Sequence, residues 1–164
     1  MKKLLLIRHA KSDWEDPFLN DHERPLSLRG LRDAPLMAQR LKKKNIFPDY
    51  ILSSDAKRAK TTAVITAENL HFPKSQIQFV SELYHATPSA LLAEIRNVPT
   101  TVETLFLFGH NPGLNDLIEL LGGEIDNLPT SGQYGFIIEG NDWSNINREI
   151  AQEWLFDFPK NKTM

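Results

Sequence analysis

The sequence predicts an α/β three-layer sandwich: a mainly parallel sheet with helices on both faces and an antiparallel edge near the C-terminus. Three observations predict it. Short, unbroken apolar runs (Leu4-Leu5-Leu6-Ile7, Tyr50-Ile51-Leu52 and Leu105-Phe106-Leu107-Phe108) alternate with capped helical segments, the pattern of strands buried on both faces. Each run stops abruptly in polar residues. Past residue 130 the alternation ends, and Gln133 to Glu139 and Glu153 to Phe158 read as two strands joined by a polar stretch.

The elements follow in order. The first run delivers Arg8 and His9 at its end. Residues 10 to 26 are polar, carry Pro17 and Pro25, and read as a long loop, a length that in compact domains usually serves function. Ser27 caps a helical segment reaching about Asn45. Pro35 interrupts its hydrogen bonding, which predicts a first turn at 28–32 and a main helix restarting with Asp33 as cap. The strand at Tyr50 to Leu52 ends in Ser53-Ser54, and Asp55 caps a helix to about Asn69. Ile77 to Val80 is a third strand. Thr87-Pro88 opens a helix to about Asn97, proline being tolerated in a first turn. After the fourth strand, Asn111 caps and Pro112 begins a helix that ends near Gly122-Gly123.

Among 164 residues, 19 are basic and 21 acidic, for a net charge of −2. That balance gives no reason to expect nucleic-acid or membrane partners. There are no cysteines, which excludes a disulfide scaffold, a thiolate zinc site and a cysteine nucleophile together. The apolar run at the start ends after four residues at Arg8, too short for a secretion signal. The reading is one domain over 1–164, a monomer, cytoplasmic.

In open parallel sheets, ligands bind beyond the carboxyl ends of the strands. Arg8-His9, Ser53-Ser54 and Gly109-His110-Asn111 stand at three such ends, and Arg58 falls in the first turn after Ser54. Two arginines and two histidines therefore converge on one mouth, an anion site with nitrogen nucleophiles or donors inside it.

Leu6-Ile7-Arg8-His9-Ala10-Lys11-Ser12-Asp13-Trp14 resembles the opening signature of the histidine phosphatase superfamily, the phosphoglycerate-mutase-like proteins. Ser53-Ser54-Asp55-Ala56-Lys57-Arg58-Ala59-Lys60-Thr61-Thr62-Ala63 resembles its second block, and Gly109-His110-Asn111-Pro112-Gly113 its third. Arg24-Pro25-Leu26-Ser27-Leu28-Arg29-Gly30 fits the connection between the first two. Brevity, the Arg-His-Ala-Lys-Ser opening and the third block resemble most the phosphohistidine phosphatase SixA branch. Ala10 stands where a glycine is frequent, Glu15 where mutase-like members carry asparagine, and Asp55 where a proline is frequent.

The resemblance implies that His9 is the nucleophile, that Arg8, Arg58 and His110 form the phosphate pocket, and that Glu82 lies where many members place a proton donor. Asn111 and Ser12 complete the expected phosphate-binding set, Ser12 equally suiting a loop-stiffening role. No metal or other cofactor is implied. Physical chemistry agrees with these roles: phosphoryl transfer relies on positioning and on neutralising the equatorial oxygens. Arginine grips those oxygens with a planar fork, and two nearby cations disfavour protonation of His9. His22, His71 and His85 read as surface or structural, His85 with the option of lining the mouth. Trp14, Phe18 and Trp143 are rim or packing aromatics. The expected substrate is a phosphorylated protein of the histidine phosphotransfer type. Small phosphate esters such as sugar phosphates are the alternative, and a non-catalytic phosphate-recognition module the alternative of another class.

Overall fold

The computed structural model describes residues 1–161; the last three positions of the single-domain reading, 162–164, lie outside the described residues. In chain order the elements are β1 (Lys2–Arg8), α1 (Leu28–Lys43), β2 (Tyr50–Ser54), α2 (Lys57–Asn69), β3 (Gln78–Val80), α3 (Pro88–Arg96), β4 (Thr104–Gly109), α4 (Gly113–Leu120), β5 (Gln133–Ile138) and β6 (Ala151–Asp157). They build one six-stranded sheet of order β3-β2-β4-β1-β5-β6. β1, β2, β3 and β4 run parallel, while β5 and β6 are antiparallel to their neighbours. The fold class is the one the sequence predicts.

Alternation along the central strands explains the layers. Side chains of successive strand residues point to opposite faces. Leu4 and Leu6 join Leu105 and Leu107 in a core that includes Leu91, Ile95, Leu114 and Leu117 of α3 and α4. Leu5 and Ile7 join Phe106 and Phe108 in a second core with Leu41 of α1 and Ala63 and Ala67 of α2. With both faces covered, every residue of the run must be apolar, and each such side chain contributes about 1.5–3 kcal/mol on burial.

Three local expectations are corrected. α1 is one continuous helix through Pro35, capped by Ser27, whose hydroxyl accepts from Gly30 N–H at 3.1 Å. Proline strands a single carbonyl, that of Leu31, while the buried stripe of Ala34, Met37, Ala38 and Leu41 runs on unbroken; packing outweighs one lost bond. Asp33 is not a cap. Its buried carboxylate faces Arg29 and Arg32, each at 3.4 Å.

Asp55 does not cap α2 either; its carboxylate binds His22 Nε2 at 2.8 Å, and Ser54 Oγ accepts from Ala56 N–H instead. That bond, with one to Glu23, raises the His22 pKa. α4 begins at Gly113, not Pro112, although Asn111 Oδ1 still accepts from Asn115 N–H at 3.1 Å.

The 10–26 loop is anchored at both ends. Asp13 N–H donates to Pro25 O and Ser27 N–H to Lys11 O, each at 2.8 Å, making the Ser12–Leu26 bridge. Gly30 is required there: a Cβ on it would lie 2.2 Å from Lys11 O. Trp143 is a core residue, fully buried, donating to Val102 O at 2.9 Å. Trp14 and Phe18 are exposed. No helix of the described residues is long and apolar enough to cross a membrane.

Candidate active site

β1 lies between β4 and β5, so its carboxyl end is held from both sides. His9 N–H donates to Gly109 O at 3.1 Å, and Ser131 N–H donates to the carbonyls of Arg8 and His9. One residue further, Ala10 N–H donates to Thr62 Oγ1 at 2.9 Å, and that hydroxyl donates to Arg58 O at 2.7 Å. Thr62 thus ties the backbone beside the first histidine to the helix turn that carries Arg58.

The ring of His9 is oriented by its neighbour. Nδ1 lies 2.7 Å from the Ala10 carbonyl. A carbonyl only accepts, so the proton resides on Nδ1 and Nε2 keeps its lone pair. Burial holds the His9 pKa down to about 4, with the Arg58 and Arg8 charges adding to that effect against the opposing Ala10 carbonyl. The imidazole is therefore neutral at neutral pH, with a free lone pair of the kind a nucleophile needs.

His110 comes from the end of β4, its ring centroid 5.0 Å from that of His9. Its Nε2 is 2.8 Å from Ser54 Oγ. That hydroxyl also accepts from Ala56 N–H and keeps a lone pair and a hydrogen, so it can pair with either tautomer of the ring. Nδ1 is buried with no hydrogen-bond partner among the described residues. Burial pushes the His110 pKa down to about 3, and the charges of His9, Arg58 and His85 act in the same direction.

The arginines are positioned from opposite sides. Arg8 donates through Nη1 to Leu128 O at 2.9 Å, and its buried Nε has no partner among the described residues. Burial, then the charge of Arg58, lowers its pKa. Arg58 is buried and donates through Nη1 to Asp21 O at 2.7 Å and through Nη2 to Asp21 Oδ2 at 2.9 Å. Asp21 also accepts from Tyr84 Oη at 2.5 Å. Burial would raise its pKa, but the bonds from Tyr84 and Arg58 outweigh burial and hold the carboxyl below its ordinary value.

Six of the seven expected residues meet in one cleft of about 220 Å³: Arg8, His9, Ser12, Arg58, His110 and Asn111 line it, with Lys11, Trp14, Asp21, His85 and Thr130. The seventh, Glu82, does not line it; its carboxylate is exposed and accepts from Ser81 Oγ at 2.9 Å. The Asn111 amide is committed elsewhere, donating to Asn127 Oδ1 and Leu128 O, so it braces the 127–128 segment. Sequence reasoning gives no role to Asp21, Tyr84 or Thr62, and to Ser54 only its place at a strand end. For Asp21 the signal was general, its place in the long polar loop. Among the described residues, no group of three or more His, Asp or Glu side chains is arranged to hold a metal ion.

The geometry suits an anion with tetrahedral oxygens: a lone pair at His9, a donor on His110 and two guanidinium groups around one opening. Comparison with known proteins bears on this chemistry. An uncharacterized protein of Mycobacterium tuberculosis is 35% identical over 165 residues, covering 94% of this chain and all of its own length. A protein of Agrobacterium tumefaciens assigned as phosphohistidine phosphatase SixA is similar in structure, with TM-score 0.80, 27% identity and coverage of 96% and 99% of the two chains. The corresponding assigned protein of Nakamurella multipartitia shares the fold, with TM-score 0.84, 23% identity and coverage of 98% and 97%. The model of the histidine phosphatase superfamily (branch 1) matches residues 4–91, the span that supplies Arg8, His9 and Arg58, and this chain belongs to that superfamily.

Proposed function

We propose that this protein is a phosphatase that removes phosphate from histidine on a phosphotransfer protein through a covalent intermediate on His9. Membership of the superfamily supports a phosphatase or mutase-type enzyme. The observation that carries the finer reading is the state of the carboxyl groups. Asp21 in the cleft is held ionised by Tyr84 and Arg58, and Glu82 lies outside it. A substrate whose leaving group brings its own proton needs no carboxylic acid, and a phosphorylated imidazole is such a substrate.

In the first step the Nε2 lone pair of His9 forms a bond to phosphorus. The P–N bond of the substrate breaks, its electron pair returning to an imidazole already protonated on its other nitrogen. Arg8, Arg58 and His110 offset charge on the equatorial oxygens. In the second step water attacks phosphorus on His9, the new P–N bond breaks with its electron pair returning to Nε2, and both water protons leave on the product as dihydrogen phosphate.

Acid quenching with labelled substrate tests the intermediate. An acid-labile, base-stable phosphoenzyme that vanishes in His9→Ala is the expected result; near-normal turnover by His9→Ala overturns the assignment. Side-by-side turnover of a phosphohistidine protein and a sugar-phosphate panel tests the substrate, and faster turnover of the sugar phosphates would replace the phosphotransfer reading with the ester one.

A further inference from the structure

One histidine at the opening takes no part in the chemistry above. His85 lines the catalytic cleft and a second cavity of about 190 Å³ beside it, between the 85–88 segment and the start of α4. Its backbone is left-handed, with φ 54°, a conformation uncommon for a residue with a Cβ. That turn lays the ring on Tyr84, centroids 3.9 Å apart, and brings it to 6.1 Å from the ring of His110. Nε2 stands 3.5 Å from Asp21 Oδ2, and no hydrogen bond occupies its other nitrogen among the described residues. The side chain is well exposed.

We infer that His85 is a catalytic acid and base of this site, with Asp21 as its positioning residue, and that it extends transfer to phosphate esters whose alcohols leave poorly. The inference rests on the covalent reading of His9 and not on the identity of the phosphotransfer partner. Geometry favours His85 over the other candidates near the opening. Asp21 is already held by two donors, Tyr84 Oη gives its proton to Asp21, and Glu82 lies outside the cleft.

The step balances as follows. His9 Nε2 bonds to phosphorus, the P–O bond of the ester breaks, and the His85 N–H proton goes to the departing oxygen, giving a neutral alcohol and a neutral His85. Water then attacks phosphorylated His9 and gives its proton to His85, and the P–N bond breaks to restore His9. Asp21, Tyr84 and His110 lie nearest His85; Asp116 shares the second cavity with it and Arg58 the cleft.

The test compares substrates on one preparation, so that any inactive fraction cancels. His85→Asn and His85→Gly both suit a left-handed backbone. The substrates are 4-nitrophenyl phosphate, whose phenol leaves unaided, a simple alkyl phosphate, and N-phosphoimidazole. Removing the acid should lower kcat/KM for the alkyl ester by about 10²–10⁴-fold relative to the nitrophenyl ester, with N-phosphoimidazole following the nitrophenyl ester. Equal losses on all three, or none, overturn the role of His85 while leaving a trapped phosphoenzyme intact. Absence of any phosphohistidine in the unaltered enzyme overturns the reading beneath it.

Discussion

Gly113 closes the Gly-His-Asn-Pro-Gly block, yet its backbone does not need glycine. What it needs is room. A Cβ built there would lie 2.2 Å from the Ala86 carbonyl oxygen and 3.5 Å from Leu91 Cδ1. The first contact is about 0.8 Å inside the 3.0 Å that Cβ atoms respect, and it is against backbone, which cannot rotate away. In Gly113→Ala either the start of α4 or the 85–88 segment must therefore retreat by most of an ångström. The first carries His110 three residues upstream and the second carries His85, so both sides of the cleft are exposed to the shift. Overpacking of this kind costs about 1–3 kcal/mol, offset by up to about 1 kcal/mol from the better helix propensity of alanine. A misplacement near 1 Å lowers turnover by about 10²-fold. Urea unfolding gives the first quantity at constant slope, and steady-state hydrolysis of 4-nitrophenyl phosphate gives the second. An unchanged midpoint with activity within twofold would refute the claim that space explains this glycine.

Other outcomes are expected. Thr62→Val removes the hydroxyl that accepts from Ala10 N–H and donates to Arg58 O; leaving the buried amide unpaired should cost about 1–3 kcal/mol in unfolding and slow phosphoenzyme formation. Retention of both would show that the hydroxyl is dispensable. Titration of the His9 ring by NMR should show a midpoint near 4, and a midpoint at or above the ordinary histidine value of 6.5 would remove the basis for a neutral nucleophile. Because the folded state binds protons on His9 and His110 less readily than the unfolded chain, stability should be flat above about pH 6.5 and fall as the pH drops towards 4 and 3. For His9 the loss is on the order of 3 kcal/mol, measurable as a falling urea midpoint. A midpoint constant from pH 7 to 4 would contradict the burial argument.

What could be read from the sequence followed from how far each signal extends along the chain. β1 and β4 were visible because burial on both faces demands an unbroken apolar run, and Arg8, His9 and His110 because they end such runs. The Ser27 cap was visible because its partner is only three residues away. Pro35 misled because local propensity argues for a break, whereas the stripe from Ala34 to Leu41 is fixed by the sheet it covers. Asp55 is a good cap by type, yet its partner is His22, 33 residues earlier. Asp21 was hidden for the same reason: it meets Arg58 and Tyr84 across 37 and 63 residues, distances no window along the chain can span. Glu82 was placed by resemblance, and the short turn at Ser81–Leu83 leaves its carboxylate in the open.

The placement of His9 at the end of a strand hydrogen-bonded on both edges divides the molecule into a fixed workbench and interchangeable tools. Arg8, His9 and His110 stand at the ends of β1 and β4, with Arg58 in the first turn of α2, while Asp21 and His85 reach the opening from two connecting segments, residues 13–24 and 81–88. Exchanging those segments for others of different length and polarity offers a route to new donors without redesigning the transfer step.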